Sequence, residues 1–308
     1  MQIIVLGAGA IGSLYGAKLA ARNDVTLVAR AEHADAINAH GLQIEGLEEQ
    51  RVPLRATTRL EQIDPDALIL LTTKVPDTAA ALAPIAKMVR DDTTILSLQN
   101  GLGVERIVCS AVADRGVVLR GITRFGAIFD RPGTIRYMVR GATLIEEHER
   151  SARIAETLNA AGLACRVSQN IAADVWRKVI YNCVVNPITT LIGSKVGSIA
   201  EPRLDPWKRI VIDECIAVAA AEGVAFEKDL LREINAVFAG SPNTVSMLQD
   251  LRRGRTTEID HLNGAVAALG EQHGIACGAN AGLTSLIKAL ERGRASLLPE
   301  EMLEPQSI

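Results

Sequence analysis

The sequence predicts an α/β protein in two parts: a doubly wound, mostly parallel sheet with antiparallel additions over residues 1–168, then an all-helical domain over 169–308. Three observations predict it. Short continuous runs of Val, Ile and Leu recur through the first half with helical stretches between them, as strands buried on both faces do. The first of these runs leads directly into Gly7-Ala8-Gly9-Ala10-Ile11-Gly12, a glycine-rich turn opening a helix. From about residue 169 the strand signal vanishes and a helical period takes over. A chain of 308 residues exceeds the usual size of one domain, which favours two. Aromatic residues make up only 3%, so the core must be built from Ala, Val, Leu and Ile, which suits helix-rich α/β packing better than a β sandwich.

The elements follow in order. Met1-Gln2-Ile3-Ile4-Val5-Leu6 is the first buried strand, and residues 13–22 are an amphipathic helical stretch. Residues 25–29 form the second strand; 66–73 and 94–98 are further buried strands, each followed by turn residues and a helix. Residues 41–55 hold two short alternating runs around Gly46-Leu47-Glu48-Glu49, an inserted hairpin. Runs 117–129 and 134–139, joined through Asp130-Arg131-Pro132-Gly133, read as a second hairpin toward the far edge. In the second half, residues 171–194 form one long helical pattern interrupted by Pro187. Further helices are expected over 205–222, 227–239, 246–269 (weakened at Gly254) and 279–293. Gly223, Gly240 and Gly270 stand where C-terminal caps belong. The junction of a nucleotide-type domain and a helical one is a favoured place for small-molecule chemistry.

Composition excludes several classes. A net charge of −3 with dispersed Lys and Arg argues against nucleic-acid and membrane-surface binding. The five cysteines form no CxxC pair, which points to reduced thiols in a cytoplasmic protein. The five histidines show no metal-ligand spacing, so no metal is expected. The apolar N-terminus lacks a basic leader, and no apolar run is long enough for a membrane span.

A GxGxxG between a strand and a helix is the dinucleotide fingerprint in its required context, the mark of a Rossmann-type domain. Gly7 permits the tight turn, Gly9 the close approach of a pyrophosphate and Gly12 the packing of helix on strand. Ala8, Ala10 and Ile11 complete the cofactor-binding turn. The helix N-terminus offers unpaired N–H groups and a positive dipole end to the phosphates. Where the NAD version of the fingerprint places an acidic residue after the second strand, this chain has Arg30. A guanidinium there suits a 2′-phosphate, so NADPH/NADP is the expected cofactor, although Glu32 and Asp35 lie close by.

Five further segments fall in a telling order: Leu71-Thr72-Thr73-Lys74, Gln99-Asn100-Gly101-Leu102-Gly103, Val175-Trp176-Arg177-Lys178 running on to Asn182-Cys183-Val184-Val185-Asn186-Pro187, Ser246-Met247-Leu248-Gln249-Asp250, and Thr257-Glu258-Ile259-Asp260. Together they resemble the 2-dehydropantoate (ketopantoate) 2-reductase family over residues 2 to about 290. The Trp-Arg-Lys helix is the most specific part. The resemblance implies NADPH-dependent reduction of ketopantoate to pantoate, on the way to pantothenate and coenzyme A. It places the catalytic lysine on Lys178 and the carboxylate on Glu258. Substrate contacts fall on Asn100, Lys178, Asn182, Asn186 and Ser246. Cofactor contacts beyond the fingerprint fall on Arg30, Lys74, Asn100, Ala127 and Glu258. Two segments depart from the family pattern, Arg124-Phe125 and Lys195-Val196-Gly197, and are expected to bear on the shape of the substrate pocket.

Helical geometry supports part of this independently. Positions 178, 182 and 186 advance by about 40° per step, forming a narrow polar stripe on an otherwise apolar helix. Buried polar groups need partners, and a ligand with carboxylate, carbonyl and hydroxyl groups would supply them; capping or cross-linking of neighbouring backbone is the plainer alternative. In the implied chemistry, charge grows on the carbonyl oxygen as hydride arrives, and Lys178 offers a hydrogen bond and then a proton. Glu258 orients the substrate hydroxyl or Lys178, or touches the cofactor; the residues leave these roles open. The alternatives are a related reductase of another bulky 2-oxo acid and a non-catalytic NADPH-binding sensor. The small-molecule 2-oxo acid is the expected partner, and both monomer and homodimer are compatible with the sequence.

Overall fold

A computed structural model describes residues 1–226 and 229–293. The chain forms two compact units, Met1–Asp174 and Val175–Ile308.

In the first unit, β1 (Gln2–Leu6), β2 (Asp24–Val28), β5 (Arg55–Thr57), β6 (Leu68–Leu71), β7 (Thr94–Ser97) and β8 (Val117–Thr123) pair in parallel in the order β8-β7-β6-β1-β2-β5. Strand order reverses at β1, whose neighbours β2 and β6 continue the chain in opposite directions, which is where such sheets bind ligands. Beyond β8 the sheet is extended by β11 (Thr143–Ile145), antiparallel to β8, and by β12 (Cys165–Val167), parallel to β11. Double-sided burial explains the continuous apolar runs. Ile3 and Val5 share one core with Leu14 and Leu19 of α1 (Ala10–Ala20) and Leu158 of α5 (Ser151–Ala160). Ile4 and Leu6 face another, with Leu82 of α3 (Thr78–Leu82) and Val104, Val108 of α4 (Val104–Ala111).

A second, four-stranded sheet has the order β4-β3-β10-β9. It contains the expected inserted hairpin, β3 (Leu42–Gly46) and β4 (Gln50–Val52), together with β9 (Gly126–Arg131) and β10 (Thr134–Val139). Helix α2 (Ala31–His40) leads into it. Two expectations are corrected here. Residues 117–129 are not one strand: they break at Arg124-Phe125, so that β8 joins the parallel sheet and β9 the second one. Phe125 is buried at this junction, edge-on to Tyr15 at 5.8 Å and tilted against Tyr137 at 6.2 Å. The stretch after the fingerprint is not amphipathic. Leu42, Ile44, Ile135 and Tyr137 of the second sheet share the core of α1, so that helix is covered on the side that would otherwise meet water.

The second unit is helical: α6 (Ile171–Leu191), whose first turn holds the boundary between the units, α7 (Asp205–Ala221), α8 (Leu230–Phe238), α9 (Ser246–Arg252), α10 (Asn263–Gln272) and α11 (Gly278–Gly293). The helix expected from 227 begins at Leu230 behind the Asp229 N-cap, which accepts from the N–H groups of Leu231 and Arg232; residues 227 and 228 lie outside the described ones. Gly223 (φ +81°) ends α7 as expected, with Val224 N–H on the Ala219 carbonyl at 2.8 Å.

Three further corrections concern this unit. Pro187 does not interrupt α6, which runs through it. Proline removes an N–H and orphans the carbonyl four residues back; here the Cys183 carbonyl accepts instead from Asn263 Nδ2 at 3.0 Å. Residues 246–269 are not one helix, since α9 stops at Arg252 and Gly254 (φ +64°) turns the chain. The cap of α10 is Gly274 (φ +67°), not Gly270: Ile275 N–H closes on the Gly270 carbonyl at 2.8 Å. Gly270 lies inside the helix, where a Cβ would stand 2.5 Å from Cys277 Sγ.

All five cysteines are free thiols. Among the described residues no helix is long and apolar enough to cross a membrane, and no cluster of His, Cys, Asp or Glu could hold a metal.

Candidate active site

The fingerprint turn is fastened from both sides. Gly7 and Ala8 donate their N–H groups to the Val28 carbonyl at the end of β2, at 3.2 and 2.9 Å. Thr72 Oγ1, just past β6, donates to the Gly7 carbonyl at 2.9 Å. Gly7 has φ +100°, and a Cβ there would lie 2.5 Å from the Thr73 nitrogen. A Cβ on Gly12 would lie 2.5 Å from Thr72 Oγ1 and 2.6 Å from the Gly7 carbonyl oxygen. These two glycines are required by the protein's own packing. Gly9 differs: a Cβ there meets nothing nearer than the Gly7 carbonyl oxygen at 4.0 Å, and the residue is exposed. It is also the N-cap of α1 and provides no side chain to cap it. The first N–H groups of α1 therefore face an open approach, the arrangement that receives a phosphate.

Three other expected residues of this unit, Arg30, Lys74 and Asn100, stand along the same carboxyl edge. Arg30 follows β2, is exposed and occupies the N-cap of α2. Lys74 follows β6 and Asn100 follows β7, both half-buried. Since β2, β1, β6 and β7 are successive neighbours, their ends line one edge. Ala127 is half-buried on β9, opposite Tyr137, and packs on the core shared with α1.

Two buried groups hold this edge, and sequence reasoning did not assign them. Gln99 donates through Nε2 to the Thr73 carbonyl (2.8 Å), Thr73 Oγ1 (3.0 Å) and Thr78 Oγ1 (2.7 Å). It thereby ties the segment before Lys74 to the one carrying Asn100. His33 accepts the Gly133 N–H on Nδ1 at 2.9 Å, so its proton sits on Nε2 and is donated to Ser13 Oγ at 3.0 Å; Ser13 passes its own to the Ala8 carbonyl at 3.3 Å. Burial pushes the His33 pKa below its ordinary value, consistent with that neutral tautomer. A glutamine before an Asn-Gly turn was the one visible signal; nothing in the sequence marked His33.

In the helical unit, Lys178, Asn182 and Asn186 are all half-buried, as is Tyr181, whereas Val179, Ile180, Cys183, Val184 and Val185 between them are buried. The stripe expected from the period therefore lies on the partly open face of α6, which it shares with Arg177 and Tyr181. Beside it, Arg177 pairs with Glu233 at 2.7 Å and lies over the Phe226 ring. Ser246 is exposed at the first position of α9. The Thr257–Asp260 segment is anchored by α11: Thr257 donates N–H and Oγ1 to Glu291 Oε1 at 2.8 and 2.7 Å, and Lys288 reaches Asp260 at 2.7 Å. Glu258 is the half-buried member between these anchors. A few residues on, Asn263 is bonded to the Cys183 carbonyl, next to Asn182 on α6. Val196 is buried, and its N–H donates to the Asn243 carbonyl at 2.8 Å.

A Rossmann-type sheet with a fingerprint at its switch point, joined to a helical unit bearing a Lys-Asn-Asn stripe, defines the class. Residues 3–150 match the family model for ketopantoate reductase PanE/ApbA, and residues 170–291 the model for its C-terminal domain. The chain belongs to the ketopantoate reductase family. It is 39% identical to a 2-dehydropantoate 2-reductase of Pyrococcus horikoshii, covering 94% of this chain and 98% of that one. It is 33% identical to a 2-dehydropantoate 2-reductase of Archaeoglobus fulgidus, over 95% and 98%. Among solved structures, a PanE/ApbA family ketopantoate reductase from Ralstonia eutropha superposes with a TM-score of 0.88 at 30% identity, covering 96% of this chain and all of that one. D-mandelate dehydrogenase with NADH and anilino(oxo)acetate also reaches 0.88, at 28% identity over 95% and 99%.

Proposed function

We propose that the protein reduces ketopantoate to pantoate with NADPH, in the synthesis of pantothenate and coenzyme A. The observation that carries the reading is the half-buried stripe Lys178, Asn182 and Asn186 along the partly open face of α6, in a chain of this family. The dinucleotide would be held by the Gly7–Gly12 turn, whose open Gly9 fits a pyrophosphate, with Arg30 taking the 2′-phosphate and Lys74, Asn100, Ala127 and Glu258 completing the contacts. When bound, the reduced nicotinamide supplies a hydride. Lys178 donates a hydrogen bond to the substrate C2 carbonyl oxygen, where negative charge accumulates, and delivers the proton that completes the alcohol. Asn182, Asn186 and Ser246 bind the carboxylate and hydroxyl ends, and Asn100 orients the reacting carbonyl. Glu258 orients Lys178 or the substrate hydroxyl.

A second reading, reduction of another bulky 2-oxo acid with NADH, is favoured by the likeness to D-mandelate dehydrogenase at a TM-score of 0.88. One experiment separates the two: oxidation of NADPH and of NADH by the purified protein against ketopantoate and a set of branched and aromatic 2-oxo acids. Turnover of ketopantoate with NADPH is expected. Turnover confined to other acids selects the second reading, and tight cofactor binding with no turnover makes the protein a non-catalytic sensor.

A further inference from the structure

Arg120 lies within β8, in register with Ser97 of β7, and is only 4% exposed. Its neighbours in the sheet are Leu119 and Gly121, the latter against Leu96 and Leu98. A guanidinium in such surroundings is costly unless every N–H is matched. Here they are not. Nη2 donates to the Gly101 carbonyl at 2.9 Å. Nε stands 3.3 Å from Glu105 Oε1 without the alignment of a hydrogen bond, and both Nε and Nη1 lack a hydrogen-bond partner among the described residues. Burial draws the guanidinium below its usual range, while Glu105 and Glu146 act in the opposite sense. The unmatched N–H groups offset what the Gly101 and Glu105 contacts contribute, so stability alone gives this arginine little reason to be there.

The arginine's one full bond falls in an informative place. Gly101 (φ +96°) and Gly103 (φ +70°) give the loop after Asn100 unusual backbone freedom. Asn100 is preceded by Gln99, which is locked by its three amide bonds, and followed by Gly101, whose carbonyl the arginine side chain holds. We propose that Arg120 is a positioning residue for the reduction, fixing Asn100 against its substrate by holding the Gly101 carbonyl. This rests on the reductase reading above.

The test compares wild type with Arg120→Met and Arg120→Lys. With Arg120→Met, the melting temperature should change little, because removing two unmatched N–H groups offsets the stranding of the Gly101 carbonyl, and kcat on the preferred 2-oxo acid should fall about 10- to 100-fold, more than NADPH affinity does, as a small misplacement of a contacting group predicts. Amide exchange at 101–103 should quicken. Arg120→Lys, which keeps a donor of shorter reach, should recover part of kcat. Activity lost only in proportion to lost stability, kcat unchanged, or exchange unchanged would each overturn the proposal. A wild-type protein inactive on every 2-oxo acid sinks the reductase reading itself, and the tether then stands or falls on the exchange result alone.

Discussion

Asn263 offers a sharp test of how the helical unit is built. The residue is fully buried, and its amide donates to the Cys183 carbonyl at 3.0 Å and to Asn280 Oδ1 at 2.9 Å. The first acceptor exists because Pro187 has no N–H to give it. Asn263→Ala strands that carbonyl in a fully buried site; Asn280 Oδ1 suffers less, since it also receives the Cys215 thiol at 3.7 Å. A buried acceptor left unmatched costs about 1–3 kcal/mol; the substitution also removes Asn263 Oδ1, which has no hydrogen-bond partner among the described residues, so a net loss of about 1–3 kcal/mol is expected. Pro187→Ala provides the cross-check, because the new N–H can take the orphaned carbonyl in the ordinary helical way. It should be more favourable by about 1–2 kcal/mol in the Asn263→Ala background than in wild type. Urea unfolding followed by tryptophan fluorescence measures both, since the two tryptophans, Trp176 and Trp207, belong to the helical unit. Additivity of the two substitutions within about 0.5 kcal/mol would refute the account of why α6 passes through a proline.

Other expectations follow from the same geometry. Lys178→Ala should lower kcat by about 10²- to 10⁴-fold with a smaller change in KM, as removal of a proton donor does; a variant that keeps kcat and loses only KM would end the acid role. Gly9→Ala should leave the melting temperature unchanged and weaken NADPH binding in a titration, because its Cβ meets only the space where the phosphates would lie. Gly12→Ala should instead cost about 1–3 kcal/mol of stability, since the Gly7 carbonyl in its path is backbone and cannot rotate away; equal melting temperatures for the two variants would contradict the distinction. His33 is held neutral, its pKa lowered by burial. Its contribution is therefore fully present above the unfolded value of about 6.5 and is lost as pH falls below that toward the folded value. His33→Gln should flatten the acid side of the melting-temperature profile from about pH 6.5 downward, and an unchanged slope would count against it.

What could be read from the chain alone was whatever local chemistry decides. The run from Gln2 to Leu6, the fingerprint glycines, the turn at Pro132-Gly133 and the one-sided spacing of Lys178, Asn182 and Asn186 act through neighbours a few residues away, and they report themselves in order along the sequence. What the tertiary structure decided depends on partners far off. Pro187 reads as a helix breaker until Asn263, 80 residues beyond Cys183, accepts the consequence. The helix after the fingerprint reads as amphipathic until a second sheet covers its outer side. Arg120 reads as one more scattered charge, and only folding sets it beneath Gly101. Gly270 resembled a cap because a glycine near a helix end usually is one, yet the thiol of Cys277 had already claimed the space a side chain would need. Propensity sets which conformations a segment prefers when alone; burial, by withdrawing water as a partner, makes distant groups responsible for one another's hydrogen bonds, and no local pattern records that obligation.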